Sequence, residues 1–143
     1  MTKRKITIYV GMALTDAPPE FRDFFQSELK AELRKFDDVE VFDFVGLENG
    51  TAVDVYLHDR HCTETSDMCV FIVDHASTGL GIEVVFRVLT KKPCLFFAAE
   101  GRRVTRMLLG LLESKSHPLY RYNSVADIIE VVRMSLLNQK LGI

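Results

Sequence analysis

Two carboxylates and their neighbours could do chemistry in this sequence. Glu83 closes the run Asp74-His75-Ala76-Ser77-Thr78-Gly79-Leu80-Gly81-Ile82-Glu83, and Asp59 lies upstream in His58-Asp59-Arg60-His61-Cys62. A carboxylate beside a glycine turn admits two readings. It is either an acid favoured by the helix dipole in a first turn, or a nucleophile or base at a ligand crevice, kept ionised by oriented N–H groups. Asp59 is either part of a solvated helix face or a second acid aimed into the same crevice. Two carboxyl groups flanking one sugar are the usual requirement for glycosidic chemistry, and a retaining pair would stand about 5–6 Å apart.

The other polar clusters read more plainly. Ser77 and Gly79 are first of all cap and turn residues, although a hydroxyl and N–H groups there could meet a phosphate or sugar oxygen. His58 and Cys62, four apart, can share a helix face, but with His61 they leave a fourth metal ligand missing, so no metal site is assigned. Arg102-Arg103 with Thr105-Arg106 could receive phosphate at a helix start, yet such clusters are usually solvated. His75 reads as a loop histidine bonded to backbone, and Lys3-Arg4-Lys5 as a solvated terminus. Neither a G-x-S-x-G nor a Walker A pattern occurs, and no catalytic serine or cysteine and no cofactor is assigned.

The elements that must position these residues follow from periodicity. Met68-Cys69-Val70-Phe71-Ile72-Val73 is an unbroken apolar run that suits a parallel strand covered on both faces. The turn after it leads into the helical pattern Ile82, Val85, Phe86, Leu89. In open α/β sheets this junction, beyond the carboxyl end of a central strand, is where ligands dock. Ile6–Val10 reads as the first strand, stopped by Gly11. Phe21, Phe25, Leu29 and Leu33 mark a helix that opens near Pro18-Pro19 and reaches about Phe36. Val39–Phe44 alternates like an edge strand, Gly46 to Gly50 is a loop, and residues 52–65 form a polar helix. Pro93–Ala98 is a buried strand, Arg102–Leu112 a helix, Leu119–Tyr122 a short strand, and the last helix starts after Ser124, with Asp127 in a capping-box position. The order β-α-β-α-β-α-β-α-β-α predicts an α/β fold, a doubly wound five-stranded parallel sheet ordered 2-1-3-4-5 in three layers.

Composition bounds the rest. With 143 residues, 48% hydrophobic and 27% charged, the chain reads as one globular domain over residues 1–143. A net charge of −2 argues against nucleic acid held through phosphates. Three cysteines without CxxC spacing fit reduced thiols in a cytoplasmic protein, and no stretch reaches membrane-spanning length.

Together the motifs resemble the nucleoside 2-deoxyribosyltransferase family, including its branch of 2'-deoxynucleoside 5'-monophosphate N-glycosidases. The resemblance rests on Ile8-Tyr9-Val10-Gly11, Tyr56 to Asp59, Ser66-Asp67, Ser77-Thr78-Gly79-Leu80-Gly81-Ile82-Glu83, Lys92-Pro93 and Met107-Leu108-Leu109-Gly110. It implies that Glu83 is a nucleophile forming a covalent deoxyribosyl-enzyme and that Asp59 assists departure of the base. It also implies a substrate site with Tyr9, Gly11, Ser77, Gly79, Gly81 and Thr105, the last reaching across a dimer interface. A small-molecule nucleoside or nucleotide would be the ligand, with neither nucleic acid nor membrane as partner, and the chain would form a homodimer or higher homo-oligomer. Water as second nucleophile makes a hydrolase, a second base a transferase. Val84-Val85-Phe86-Arg87 departs from the family's Leu-Gly-Arg/Tyr continuation, and Gly11-Met12-Ala13-Leu14-Thr15 lacks the Gly-Ser and arginine of the monophosphate branch. The alternatives are a non-catalytic nucleotide-binding or sensing relative and a glycohydrolase of ribonucleotides or NAD-type ligands.

Overall fold

A computed structural model describes residues 3–43 and 50–140. Five strands, β1 (Ile6–Met12), β2 (Val39–Val41), β3 (Met68–Ile72), β4 (Cys94–Ala99) and β5 (Leu119–Tyr122), form one sheet in the order β2-β1-β3-β4-β5. All pairings are parallel, with Tyr9 beside Cys69 and Gly11 beside Phe71 across the two central strands. The sheet order is the one the sequence predicts. Phe44, the last residue of the expected edge strand, and most of the loop from Gly46 lie outside the described residues, as does the chain end beyond Lys140.

Side-chain alternation splits the interior into two cores. Ile8, Val10, Met12, Val70, Ile72 and Phe97 pack on one face with Phe25, Leu29, Leu33, Ile128, Val132 and Leu136. Tyr9, Cys69, Phe71, Phe96 and Ala98 pack on the other with Cys62, Leu80, Val84, Val88 and Leu112. Period-two strands sending alternate residues to opposite layers give this division. The first face is covered by α1 (Pro19–Phe24), a π-helical turn (Phe25–Leu29), α2 (Lys30–Leu33) and α6 (Val125–Lys140). The second carries α3 (Ala52–Thr65), α4 (Thr78–Thr90) and α5 (Arg106–Ser114). The π turn has a sequence cause. Phe21, Phe25, Leu29 and Leu33 recur every fourth residue, and a 3.6-residue helix would rotate them off a common face. A wider π turn brings them back.

Several expectations shift on the structure: β1 runs through Gly11 to Met12 instead of stopping there, β2 ends at Val41, and three helix starts differ. The α5 helix starts at Arg106, four residues later than predicted, because the chain turns at Gly101 with φ 77° and Thr105 stands at the N-cap. Conversely α4 begins earlier, at Thr78: the Ser77 hydroxyl accepts from the Leu80 N–H at 3.3 Å, so Gly79 and Gly81 lie within its opening turns. At Ser124 the capping is carried by Asp127, whose carboxylate accepts from the N–H groups of Asn123 and Ser124. A full capping box stands instead at Thr51 and Asp54, starting α3.

Arg87 is the largest fully buried side chain. Its guanidinium donates to the carbonyls of Thr63 (3.0 Å), Ser66 (2.6 Å) and Pro93 (2.7 and 3.1 Å) and to the Ser66 hydroxyl. These acceptors are the C-terminal end of α3 and the residue before β4, so one side chain from α4 ties three elements together. The carbonyl end of a helix is a favourable place for a cation.

Candidate active site

Tyr9 on β1, Asp59 on α3 and Glu83 on α4 converge on the second face of the sheet. The Tyr9 hydroxyl donates to Glu83 Oε1 at 2.9 Å. Glu83, Asp59, Tyr9 and His58 line one small cavity of about 20 Å³. Convergence follows from parity: Tyr9 hangs from β1 toward the face that α3 and α4 cover, whereas Ile8 and Val10 feed the opposite core.

The electrostatics differ from the sequence expectation. Glu83 is the sixth residue of α4, past the turn whose N–H groups are free, so nothing from the helix terminus holds it ionised. Burial and the neighbouring Asp59 charge push its pKa up to about 8, against a smaller downward pull from the Tyr9 hydroxyl. Tyr9 is in turn pushed well above its ordinary value by burial and by the charges of Glu83 and Asp59. The two carboxyls line one small cavity, the arrangement that a pair flanking one sugar requires. Below about pH 8 Glu83 keeps a proton.

Gly11 lies at the rim for a steric reason. A Cβ there would stand 2.6 and 2.7 Å from ring carbons of Phe71 and 3.0 Å from Glu83 Oε2. Phe71 is fully buried and stacked on Phe96, so it has nowhere to go. Gly11→Ala should therefore cost about 1–3 kcal/mol in urea unfolding and displace the Glu83 carboxyl. Unchanged stability would show that the ring relaxes freely.

The remaining predicted residues lie elsewhere. Ser77, Gly81 and Thr105 line a larger groove of about 560 Å³ between α4 and α5, with Val85, Met107, Leu108 and Leu111. The Ser77 hydroxyl is engaged as the α4 cap, and Gly79 is exposed in the first turn of α4. The structure thus brings Tyr9, Gly11, Asp59 and Glu83 together and sets Ser77, Gly79, Gly81 and Thr105 apart from them. Arg102 is engaged by the Asp74 carbonyl (2.8 Å) and His75 Nδ1 (2.7 Å). His75 thus bonds a side chain, and it meets Phe21 edge-on.

Lys30 escaped the sequence reading. It is 4% exposed and lines the same small cavity as the carboxylates. Burial, and the nearby Arg34, bring its pKa down to about 8, so it still carries charge at neutral pH and can meet an anionic group. Its signal was faint: a lysine beside Leu29 and Leu33, where only the π turn decides which face it takes. Among the described residues no group of three or more His, Cys, Asp or Glu could hold a metal ion. No helix among them is long and apolar enough to cross a membrane.

Solved structures share this arrangement of strands and helices. The CMP N-glycosidase BcmB of Clostridium botulinum superposes with a TM-score of 0.68 at 15% identity, covering 90% of this chain and 98% of its own. A 2-desoxiribosyltransferase from Leishmania mexicana does so with a TM-score of 0.53 at 16% identity, over 71% of this chain and 79% of its own. The chain has the fold of the nucleoside 2-deoxyribosyltransferases. A conserved protein from Enterococcus faecalis V583 shares that deoxyribosyltransferase fold, with a TM-score of 0.57 at 12% identity over 92% of this chain and 99% of its own. No family model matches the sequence, and no curated protein does.

The departure after Glu83 leaves Val85 at the surface and Arg87 in the interior. Val85 stands where the family has its glycine, and it is exposed toward the α4–α5 groove. Arg87 is absorbed by the carbonyl clamp.

Proposed function

We propose that this chain is a member of the nucleoside 2-deoxyribosyltransferase family that cleaves or transfers the N-glycosidic bond of a 2'-deoxynucleoside or its 5'-monophosphate. One observation carries the reading: a half-buried carboxyl on α4, hydrogen-bonded to a tyrosine hydroxyl at 2.9 Å and sharing one cavity with a second carboxyl. The proton on Glu83 passes to Asp59 across the cavity they share. That transfer creates a carboxylate nucleophile and an acid for the leaving base together. Glu83 attacks C1', the C1'–N electron pair departs with the base, and Asp59 protonates that nitrogen. A covalent glycosyl-glutamate results, which water or a second base then resolves.

Supporting features surround the pair. Tyr9 donates to Glu83 and so favours its charged form. Lys30 offers a cation to an anionic substrate. Exposed apolar side chains on α3 and α4, among them Val53, Leu57, Ile82 and Leu89, support assembly into a homo-oligomer. Leu14, Gln26 and Lys30 line the same cavity and would meet the sugar.

The test is incubation with a panel of deoxynucleosides, ribonucleosides and their monophosphates, following free base by chromatography. Release from deoxy substrates that stops in Glu83→Ala supports the reading. Tight binding without turnover would mark a sensor instead. Tyr9→Phe is a milder probe. Losing a hydrogen bond to a charged group should lower kcat about 10- to 100-fold and move the alkaline fall of activity to higher pH, because the donor that favours ionised Glu83 is gone. A pH–rate profile unchanged from wild type would remove Tyr9 from the chemistry.

A further inference from the structure

We propose that His58 is a positioning residue for Asp59, fixing the carboxyl's orientation and stabilising the carboxylate left when the proton goes to the leaving base; this rests on the glycosidic reading above. His58 Nδ1 lies 3.1 Å from Asp59 Oδ1. A carboxylate oxygen only accepts, so the ring nitrogen is the donor. Helix geometry does not force this contact, since side chains one residue apart on a helix diverge. Both must turn toward the same cavity, and something must hold the imidazole there. That brace is Cys62, one helical turn on, whose Sγ lies 3.8 Å from Nε2 and 4.0 Å from Nδ1 of the ring. The thiol is buried and kept neutral, its pKa pushed up to about 11 by burial and by Asp59 and Glu83. Cys62, His58 and Asp59 thus form a series of polar contacts that faces the Glu83–Tyr9 pair across one cavity.

The chemistry needs such a donor. When Asp59 gives its proton to the base nitrogen, negative charge appears on a partly buried carboxylate, and an N–H already aimed at Oδ1 stabilises that charge as it forms. Holding Oδ1 also leaves the other oxygen to carry the proton. Titratable and charged groups that share the cavity with His58 are Asp59 on the same helix, Glu83 from α4, Tyr9 from β1, Lys30 from α2 and Asp43 after β2, with Cys62 beneath the ring.

The experiment compares His58→Leu with His58→Asn, whose amide N–H can stand where Nδ1–H does. Three readouts are taken: kcat and KM on whichever nucleoside the wild type cleaves, the pH–rate profile, and carbon-13 carboxyl titration of Asp59 and Glu83. His58→Leu should lose about 10- to 100-fold in kcat with KM within about twofold, and the carboxyl inflection near pH 8 should move upward. His58→Asn should recover most of kcat and restore the inflection. Wild-type kcat and inflection in the leucine variant would overturn the proposal. So would an asparagine variant no better than leucine, or a fall in kcat matched by loss of fold in thermal melts. If the wild type cleaves no nucleoside, the glycosidic reading fails, and the carboxyl titration alone decides whether His58 governs Asp59.

Discussion

Glu83→Gln should abolish turnover and at the same time make the protein more stable at alkaline pH. The loss of activity is expected to be about ten-thousand-fold or more in kcat, the range for removing a covalent nucleophile. The gain in stability follows from linkage. Glu83 titrates near 4.5 in the unfolded chain and near 8 when folded. The folded state therefore binds a proton the unfolded state has released, between those two values. This contribution is full below about pH 4.5 and is lost as pH rises to about 8. At higher pH a buried charge stands beside Asp59. A glutamine carries no such charge, so the variant should match wild type at pH 5 and exceed it by about 2–4 kcal/mol at pH 9, near 5–10 °C in Tm. Parallel melts at the two pH values check it. A variant destabilised equally at both would mean that Glu83 is not ionising against its surroundings. The same titration sets the alkaline limb of wild-type activity: kcat/KM should fall above about pH 8, where the pair loses the proton destined for the leaving base.

The largest loss of stability is expected at Arg87. Replacing it by methionine keeps much of the volume but leaves the Thr63, Ser66 and Pro93 carbonyls without their donor in a dry interior. Breaking a buried charged network of this kind costs about 3–5 kcal/mol, which is on the order of 10 °C in Tm for a chain of this size. Arg87→Lys should fall between, because a single ammonium cannot reach three separated carbonyls as a planar fork does. Urea unfolding of the three proteins gives the ranking. If methionine proves neutral, the clamp is not holding α3 to the sheet. Should it hold as expected, activity in Arg87→Lys should fall more than its residual fold explains, since α3 carries Asp59 and α4 carries Glu83.

How far the sequence foretold this depended on whether a residue's place was set by local pattern. The unbroken Met68–Val73 run and the alternating Val39–Val41 segment name a covered and an edge strand by themselves, and from them the strand order follows. The polar helix over 52–65 was legible in full. Glu83 stood out because strand, glycine turn and helix start leave few places for a carboxylate, whereas Asp59 was one of two readings of a polar helix and was paired with it through the family resemblance. Their protonation was not legible, since it depends on how deep Glu83 sits inside α4 and on contact with a residue far away in sequence. Arg87 was missed although a signal existed: it falls in the buried stripe Leu80, Val84, Val88, where an arginine needs a partner. Ser77, Gly81 and Thr105 were grouped with the carboxylates by motif, whereas which side of α4 each faces is a matter of packing.

The division of strand residues between two cores limits how this molecule could acquire a new ligand. Tyr9 and Phe71 cannot trade places with Ile8, Val10 or Val70 without turning half the interior outward. The floor of the crevice is consequently frozen, and variation must come from its walls. Leu14 and Gln26 sit on a loop and on a helical turn that can change one side chain at a time. Laboratory selection for altered base or sugar preference should therefore accumulate changes there and leave the sheet untouched.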